Sequence, residues 1–452
     1  MINVRSIQHR LLPLDHDERR ALANWLLVWV VLANIGFSLM YFIGSPPRAS
    51  GIIIFGVLGL VIRKKSLSVQ TIAFVAGLIF SLISLGSSLF NLPLYSLSRS
   101  VIFMSELNLF SSLLYLGIGS GLALLAGVSC LALRKPSDFT SLRAVLIAVM
   151  AVTLFASADA YAGMGARGHY KRLPSDNGPF SSAMLNADVL SAIGKQPQRH
   201  LMVVMVESLG DPVNNPELEQ LVFARYKEPA VRSRFEISTG TTTYYGSTTS
   251  GEIRELCGRW GDYYDLVDHK DEGCLPARLS QKGFQTSAYH SFAGEFFERS
   301  SWYPNIGFEK QFFRSDLISG GAEVCGGVFP GACDRDVPRQ LAQHLKAAAK
   351  PQFIYWLTVN SHLPVLEENN LDVDNCARFS AKLHEEFPMI CRQSAIWDSI
   401  DAAIVREITD PNFPPTDILI VGDHMPPYFD RKSRLQFAPD KVPWLLLKWR
   451  DA

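Results

Sequence analysis

Only six charged residues (Arg48, Arg63, Lys64, Lys65, Arg99 and Glu106) occur in the 113 positions from Ala21 to Leu133. A soluble domain carries about one charged residue in four, so this stretch calls for a surrounding other than water. Apolar runs fall at about 22–44, 50–62, 70–92, 109–133 and 143–162. Crossing roughly 30 Å of hydrocarbon takes about 20 apolar residues as a helix. Four of the runs reach that length, and 50–62 falls short of it.

Charge placement decides how to count the short run. Five spans with a cytoplasmic N-terminus put Arg5, Arg10, Arg19, Arg20, Arg63, Lys64, Lys65, Arg134, Lys135 and Arg143 on the inner side, leaving Arg48 and Arg99 in two short outer loops. That asymmetry follows the positive-inside rule, and omitting the short run would put one basic cluster on the wrong side. The first run has no small-x-small cleavage site, so it is expected to stay as an anchor. No mid-span Asp, Glu or His marks a transport path. A five-helix membrane domain over residues 1–162 that carries an exported domain is therefore expected; a transporter is not.

Charge and cysteine usage separate the rest of the chain. The 43 bases and 43 acids of the 452 residues cancel, which removes the basic footprint of a nucleic-acid binder. Residues 1–162 nevertheless hold twelve bases and six acids, leaving 31 bases and 37 acids beyond them. Six of the seven cysteines (Cys257, Cys274, Cys325, Cys333, Cys376 and Cys391) follow the membrane domain, and Cys130 lies in the fourth run. An even set in an exported domain reads as disulfides formed in an oxidising compartment. Of the fifteen pairings six cysteines permit, the neighbour pairing 257–274, 325–333 and 376–391 is expected. A zinc site has little support, because no C-x-x-C spacing occurs.

Residues 163–198 read as a juxtamembrane linker with a short helix near Ser181–Ile193. Short apolar runs then appear at 201–206, 284–289, 353–359, 417–421 and 443–447, with a helical stretch at Asp336–Lys350. The alternation predicts an α/β domain over 199–452, with a largely parallel sheet flanked by helices. Ligands gather beyond the carboxyl ends of such strands. Two of these ends carry Glu207-Ser208 and Asp423-His424, a mixed oxygen and nitrogen set suited to zinc or manganese. Taken alone, Glu207 is equally a helix cap and Asp423-His424 equally part of a turn. Between them the hydroxyl-rich stretch Ser238–Ser250 precedes a helical pattern. It supplies caps, or it places one hydroxyl at a helix N-terminus facing a metal.

The ordered segments VMVESLG, YYGSTTSGEIRELCG, YHSFAGEFFERSSWYPNIGFEK, TVNSHLPV and ILIVGDHMPPY resemble the alkaline-phosphatase-like sulfatase superfamily. Within it, they resemble membrane phosphoglycerol transferases of the lipoteichoic acid synthase and osmoregulated-glucan type. The resemblance implies one divalent metal, with Mn²⁺ expected and Zn²⁺ or Mg²⁺ as alternatives, held by Glu207, Thr248, Asp423 and His424. It implies Thr248 as nucleophile, by the register of Gly246-Ser247-Thr248 with Glu252, and Thr249 as the near alternative. His290, Phe297 and Arg299 would face the substrate, and His362 would approach its phosphate or glycerol portion. His290 or His362 would protonate a leaving oxygen. Ser250 departs from the synthase pattern, which has an acid there, so acceptor contacts are expected to differ.

The implied activity is transfer of phosphoglycerol from a phosphatidylglycerol head group to an envelope glycan or polymer hydroxyl. The catalytic domain would face the periplasm from the inner membrane. Phosphoethanolamine transfer to lipid A or another glycan is the alternative donor chemistry, and a catalytically silent envelope assembly protein is the alternative of another class. Nothing in the residues fixes the oligomeric state.

Overall fold

The computed structural model describes residues 14–39, 48–89, 113–163, 179–190, 199–367, 370–428 and 430–451. The expected outer loop around Arg99 and most of the 163–198 linker lie outside them. The chain forms two compact units that divide near residue 170.

The first unit is helical. Helix α1 (His16–Trp25) runs on into a π-helical stretch, Leu26–Leu32, and α2 (Ile35–Leu39) follows. Then come α3 (Ala49–Ile62), α4 (Leu67–Leu89), α5 (Leu113–Ala132) and α6 (Leu142–Gly163). Among the described residues, Leu67–Leu85 and Leu142–Tyr161 are long and apolar enough to cross a membrane, two where five runs were expected. Three are short of the mark: α5 contributes the shorter apolar helix Leu116–Ala132, and the other two follow from length and coverage. At 1.5 Å per residue, α3 rises only ~21 Å. The first run is divided among three short helical pieces, and residues 40–47 lie outside the described chain.

One end of this unit gathers the segments that carry the basic clusters. Asn24 Nδ2 donates to Ala132 O and Lys135 O (3.2 and 3.1 Å), and Arg63 Nε donates to Phe139 O (3.1 Å). Gln70 Nε2 donates to Lys65 O (2.9 Å), and Glu18 Oε1 accepts from Thr140 N and Ser141 N (3.0 and 2.8 Å). Arg63, Lys64, Lys65, Arg134 and Lys135 thus share one end of the bundle, although they come from separate inter-helix segments. Burial supplies the packing between these ties: Trp29 is fully enclosed, with Phe74 edge-on at 5.4 Å.

The second unit is built on a seven-stranded sheet of order β2-β9-β8-β1-β7-β3-β4. The strands are β1 (His200–Val206), β2 (Phe235–Thr243), β3 (Gln285–His290), β4 (Lys310–Phe312), β7 (Gln352–Leu357), β8 (Thr416–Gly422) and β9 (Lys441–Trp449). A small separate ribbon pairs β5 (Val324–Cys325) with β6 (Gly331–Ala332). Strands β8, β1, β7, β3 and β4 run parallel. Central strands β1, β7 and β8 are buried at every position, which accounts for their continuous apolar runs. Strands β9 and β2 add antiparallel at one edge.

Strand β2 corrects the sequence reading. Its residues FEISTGTTT begin the hydroxyl-rich stretch taken as a cap-bearing approach to a helix. Here they pair along their whole length with β9. β-branched threonines suit a strand, and an edge position tolerates their polarity. The three disulfides are Cys257–Cys274, Cys325–Cys333 and Cys376–Cys391, the neighbour pairing; Cys130 is free.

Helices cover the sheet, among them α7 (Thr248–Cys257), α8 (Val337–Ala347) and α9 (Pro388–Ile408). Buried Asp401 on α9 accepts from Tyr226 Oη at 2.9 Å. Burial raises its pKa from 3.8 to about 7, the Tyr226 bond opposing the rise, Asp398 adding to it and Arg225 opposing it. A carboxyl raised on folding binds more protons in the native state, so its stabilising effect is complete below its unfolded pKa and fades as pH rises through about 7. Between those limits its contribution falls by about 1.4 kcal/mol per pH unit. Asp401→Asn should flatten the loss of thermal stability from pH 5 to pH 8 relative to wild type. An unchanged slope would contradict this assignment.

Candidate active site

The parallel register brings four strand ends to one edge. Val206 pairs with Gly422 across β1 and β8, so the residues that follow, Glu207 and Asp423, emerge side by side. Thr358 to His362 follow β7, and His290 closes β3. Ser208, in the left-handed region at φ 54°, turns the chain sharply after β1. Its N–H donates to Asp423 Oδ1 (2.7 Å) and its hydroxyl to Glu207 Oε1 (2.8 Å). Asp423 Oδ1 also accepts from His424 N at 2.6 Å. Thr358 Oγ1 accepts from Glu207 N (2.9 Å), and Ser361 Oγ donates to Glu207 O (2.6 Å). The sequence reading missed these supports, because hydroxyls on loops carry no signal until the strands are paired.

Glu207, Asp423 and His424 each offer a ligand atom, and the three atoms lie within 4.8 Å of one another. Asp423 Oδ2 is buried and makes no hydrogen bond, while His424 Nε2 stands 3.3 Å from it and 3.5 Å from Glu207 Oε1. His424 Nδ1 lies 3.0 Å from Met425 O. A donated proton there leaves the Nε2 lone pair facing the carboxylates, the usual arrangement of a ligating imidazole. An orphaned carboxylate oxygen, a second carboxylate and a lone pair aimed between them fit a divalent cation. Burial, together with nearby Glu207, raises the Asp423 pKa to about 7, and His424 and two hydrogen bonds hold it back. Burial lowers the His424 pKa, yet Asp423 and Glu207 outweigh it and the net shift is upward. The Glu207 charge contributes to both shifts.

Helix α7 delivers the hydroxyl. Gly246, at φ +78°, makes the turn ahead of it. Thr248 is its first residue and is half-buried. Thr248 Oγ1 lies 3.2 Å from Glu207 Oε2 and 3.3 Å from His424 Nε2. Thr249 is fully buried, and its hydroxyl lies 3.1 Å from that of Ser247. Only Thr248 of the pair therefore reaches the cluster.

His290, Phe297 and Arg299 form a neighbouring group whose direction differs from the expected one. Arg299 is buried and donates to Glu252 from Nε (3.1 Å) and Nη2 (2.9 Å). Its Nη1 donates to Phe296 O (3.1 Å) and lies 3.4 Å from His290 Nε2. The guanidinium is committed to the protein instead of facing a substrate, because Glu252, also buried, needs its charge. Glu252 accepts from Tyr355 Oη as well, at 3.2 Å, and from Tyr303 Oη. His290 is buried with Nδ1 3.2 Å from Leu357 O. Burial first and Arg299 second hold its pKa well below the ordinary value, so it stays neutral. Phe297 sits in the left-handed region (φ 56°), with its ring centroid 5.5 Å from the Arg299 guanidinium carbon.

His362 stands closer to the cluster, since Asp423 and His424 both act on its pKa; burial lowers that pKa to about 4. Its ring packs 3.9 Å from that of Phe329. Burial thus lowers the pKa of both imidazoles, a direction that disfavours a resident proton on either before substrate binds.

A seven-stranded, mostly parallel sheet with a carboxylate–imidazole cluster and a helix-borne threonine at its strand ends defines an alkaline-phosphatase-like α/β domain. The sulfatase family profile matches residues 199–444, more than half of the chain, and the chain belongs to that family. Among solved structures, it is similar to the lipoteichoic acid synthase LtaP from Listeria monocytogenes at 16% identity, covering 56% of this chain and 66% of that one (TM-score 0.41). The phosphoglycerol transferase GacH from Streptococcus pyogenes matches at 18% identity over 58% of this chain and 73% of that one (TM-score 0.37). The lipooligosaccharide phosphoethanolamine transferase EptA from Neisseria meningitidis matches at 12% identity over 95% and 88% (TM-score 0.45). The chain thus spans just under two thirds of the LtaP chain. No curated protein sequence matches it.

Proposed function

We propose that the protein transfers phosphoglycerol from the head group of phosphatidylglycerol to a hydroxyl of an envelope glycan or polymer, through an ester on Thr248. One observation carries the reading: the half-buried Thr248 hydroxyl stands 3.2 Å from Glu207 and 3.3 Å from His424 at a helix N-terminus. Glu207, Asp423 and His424, with Thr248, would hold one divalent cation, Mn²⁺ expected and Zn²⁺ or Mg²⁺ as alternatives, supplying Lewis-acid stabilisation of an alkoxide and of phosphoryl oxygens.

The Thr248 hydroxyl gives up its proton as its oxygen bonds to phosphorus, the phosphorus–oxygen bond to diacylglycerol breaks, and the diacylglycerol oxygen leaves and takes up one proton. An acceptor hydroxyl then attacks the same phosphorus and gives up its proton, and the Thr248 oxygen leaves and regains one. The N-terminus of α7 favours the negative oxygens. Glu252, Arg299 and His290 hold the floor beneath α7, while His362 and Phe297 are left to contact the glycerol portion or the acceptor.

A donor that resides in the bilayer accounts for the apolar N-terminal helices. Five spans over 1–162 with the N-terminus cytoplasmic, a linker over 163–198 and a catalytic domain over 199–452 on the periplasmic side of the inner membrane complete the proposal. The basic clusters gathered at one end of the helical unit support that orientation. Full-length protein given head-group-labelled phosphatidylglycerol and Mn²⁺ should release unlabelled diacylglycerol and pass label to an envelope glycan. Turnover of phosphatidylethanolamine with phosphatidylglycerol left intact would replace this donor with the other.

A further inference from the structure

Helix α7 carries a second buried charged pair besides Glu252 and its partner. Arg254 is 1% exposed, and its side chain reaches back to the end of β8. Nη2 donates to Gly422 O at 2.8 Å and Nη1 to Asp423 O at 3.2 Å. Its Nε donates to Glu255 Oε1 at 2.6 Å. Glu255, 2% exposed, also accepts from the backbone N–H groups of Ala183 (Oε1, 3.1 Å) and Met184 (Oε2, 2.9 Å). One turn nearer the nucleophile, Gly251 lets the helix press against this loop: a Cβ there would meet Asp423 O at 3.2 Å and Asp423 Cα at 3.3 Å.

We propose that Arg254 is a positioning residue for the loop of Asp423 and His424, locking it to the helix that presents Thr248, with Glu255 holding the guanidinium in place. This rests on the reading of Glu207, Asp423 and His424 as metal ligands. The chemistry follows from the backbone. Two adjacent carbonyls at a strand end, buried where water cannot solvate them, need donors, and a planar guanidinium serves both from a fixed fork while its Nε still meets Glu255. The same bonds fix where the Asp423 carboxylate and the His424 ring stand relative to Thr248. Groups that orient metal ligands from behind typically account for about 10–100-fold in metal affinity.

Removing Arg254 alone strands the buried Glu255 carboxylate, so Arg254→Met can fail through folding. The double variant Arg254→Met/Glu255→Gln takes out both charges, and its amide oxygen can still accept from the Ala183 or Met184 N–H. The test is a Mn²⁺ titration of full-length protein in detergent, read by electron paramagnetic resonance, beside thermal unfolding in chelator. The expected result is a double variant that unfolds near the wild-type temperature without metal but binds Mn²⁺ about 10–100-fold more weakly, with Arg254→Lys in between. A folded double variant with wild-type Mn²⁺ affinity overturns the proposal. So does a double variant that does not fold, which assigns the pair to stability. Wild-type protein that binds no Mn²⁺ sinks the metal reading itself, and this role with it.

Discussion

Thr248→Ala should reduce head-group transfer by about 10⁴–10⁶-fold, the scale on which enzymes lose activity with their nucleophile. Thermal stability should hardly change, because among the described residues the half-buried Thr248 hydroxyl meets only the ligand cluster. Thr248→Ser should keep measurable activity, since it keeps a hydroxyl at the first position of α7. Thr249→Ala should keep most of the activity, because that buried hydroxyl is turned to Ser247. A steady-state assay with labelled phosphatidylglycerol on the variants decides the matter. Loss with Thr249→Ala and survival with Thr248→Ala would reverse the assignment. An envelope phenotype unaffected by Thr248→Ala would favour a silent assembly protein over an enzyme.

Arg299→Ala should destabilise the α/β domain by about 3–5 kcal/mol, the cost of leaving one partner of a buried ion pair alone. Glu252 and Arg299 are 0% and 2% exposed. The buried carboxylate would keep only the Tyr303 and Tyr355 hydroxyls. Activity should fall with the fold, and Arg299→Lys should recover part of both. The readout is the denaturant midpoint of full-length protein, compared with KM and kcat for the donor. A variant with wild-type stability and a raised KM would mean that the guanidinium binds substrate after all. Outside this network, the same substitution would remove a surface ion pair with little effect.

The strand ends were legible because β1, β7 and β8 are buried on both faces and read as unbroken apolar runs. Their polar terminal residues, Glu207 and Asp423-His424, therefore stood out. Thr248 was separable from Thr249 by register with Glu252, and α7 places the two on different sides. Strand β2 was not legible, since an edge strand of threonines has the composition of a loop. Nor was the fate of Arg299, whose partner Glu252 lies 47 residues earlier in another element; a motif shows that two groups recur, not that one neutralises the other. Arg254 was passed over too: besides the adjacent Glu255, it meets the backbone carbonyls of Gly422 and Asp423, which leave no trace in sequence. The spans were read from composition and charge. Among the described residues only two helices carry enough length and apolarity to stand as spans by themselves, and Ala49–Ile62 and Leu116–Ala132 are shorter apolar helices.

The most direct measurement is peptide mass spectrometry of full-length protein trapped during turnover with phosphatidylglycerol and Mn²⁺, with no acceptor supplied. The expected result is a phosphoglycerol ester on Thr248, absent from Thr248→Ala and lost when an acceptor glycan is added. A phosphoethanolamine adduct, an adduct on Thr249, or an unmodified Thr248 in protein that is turning over would contradict it.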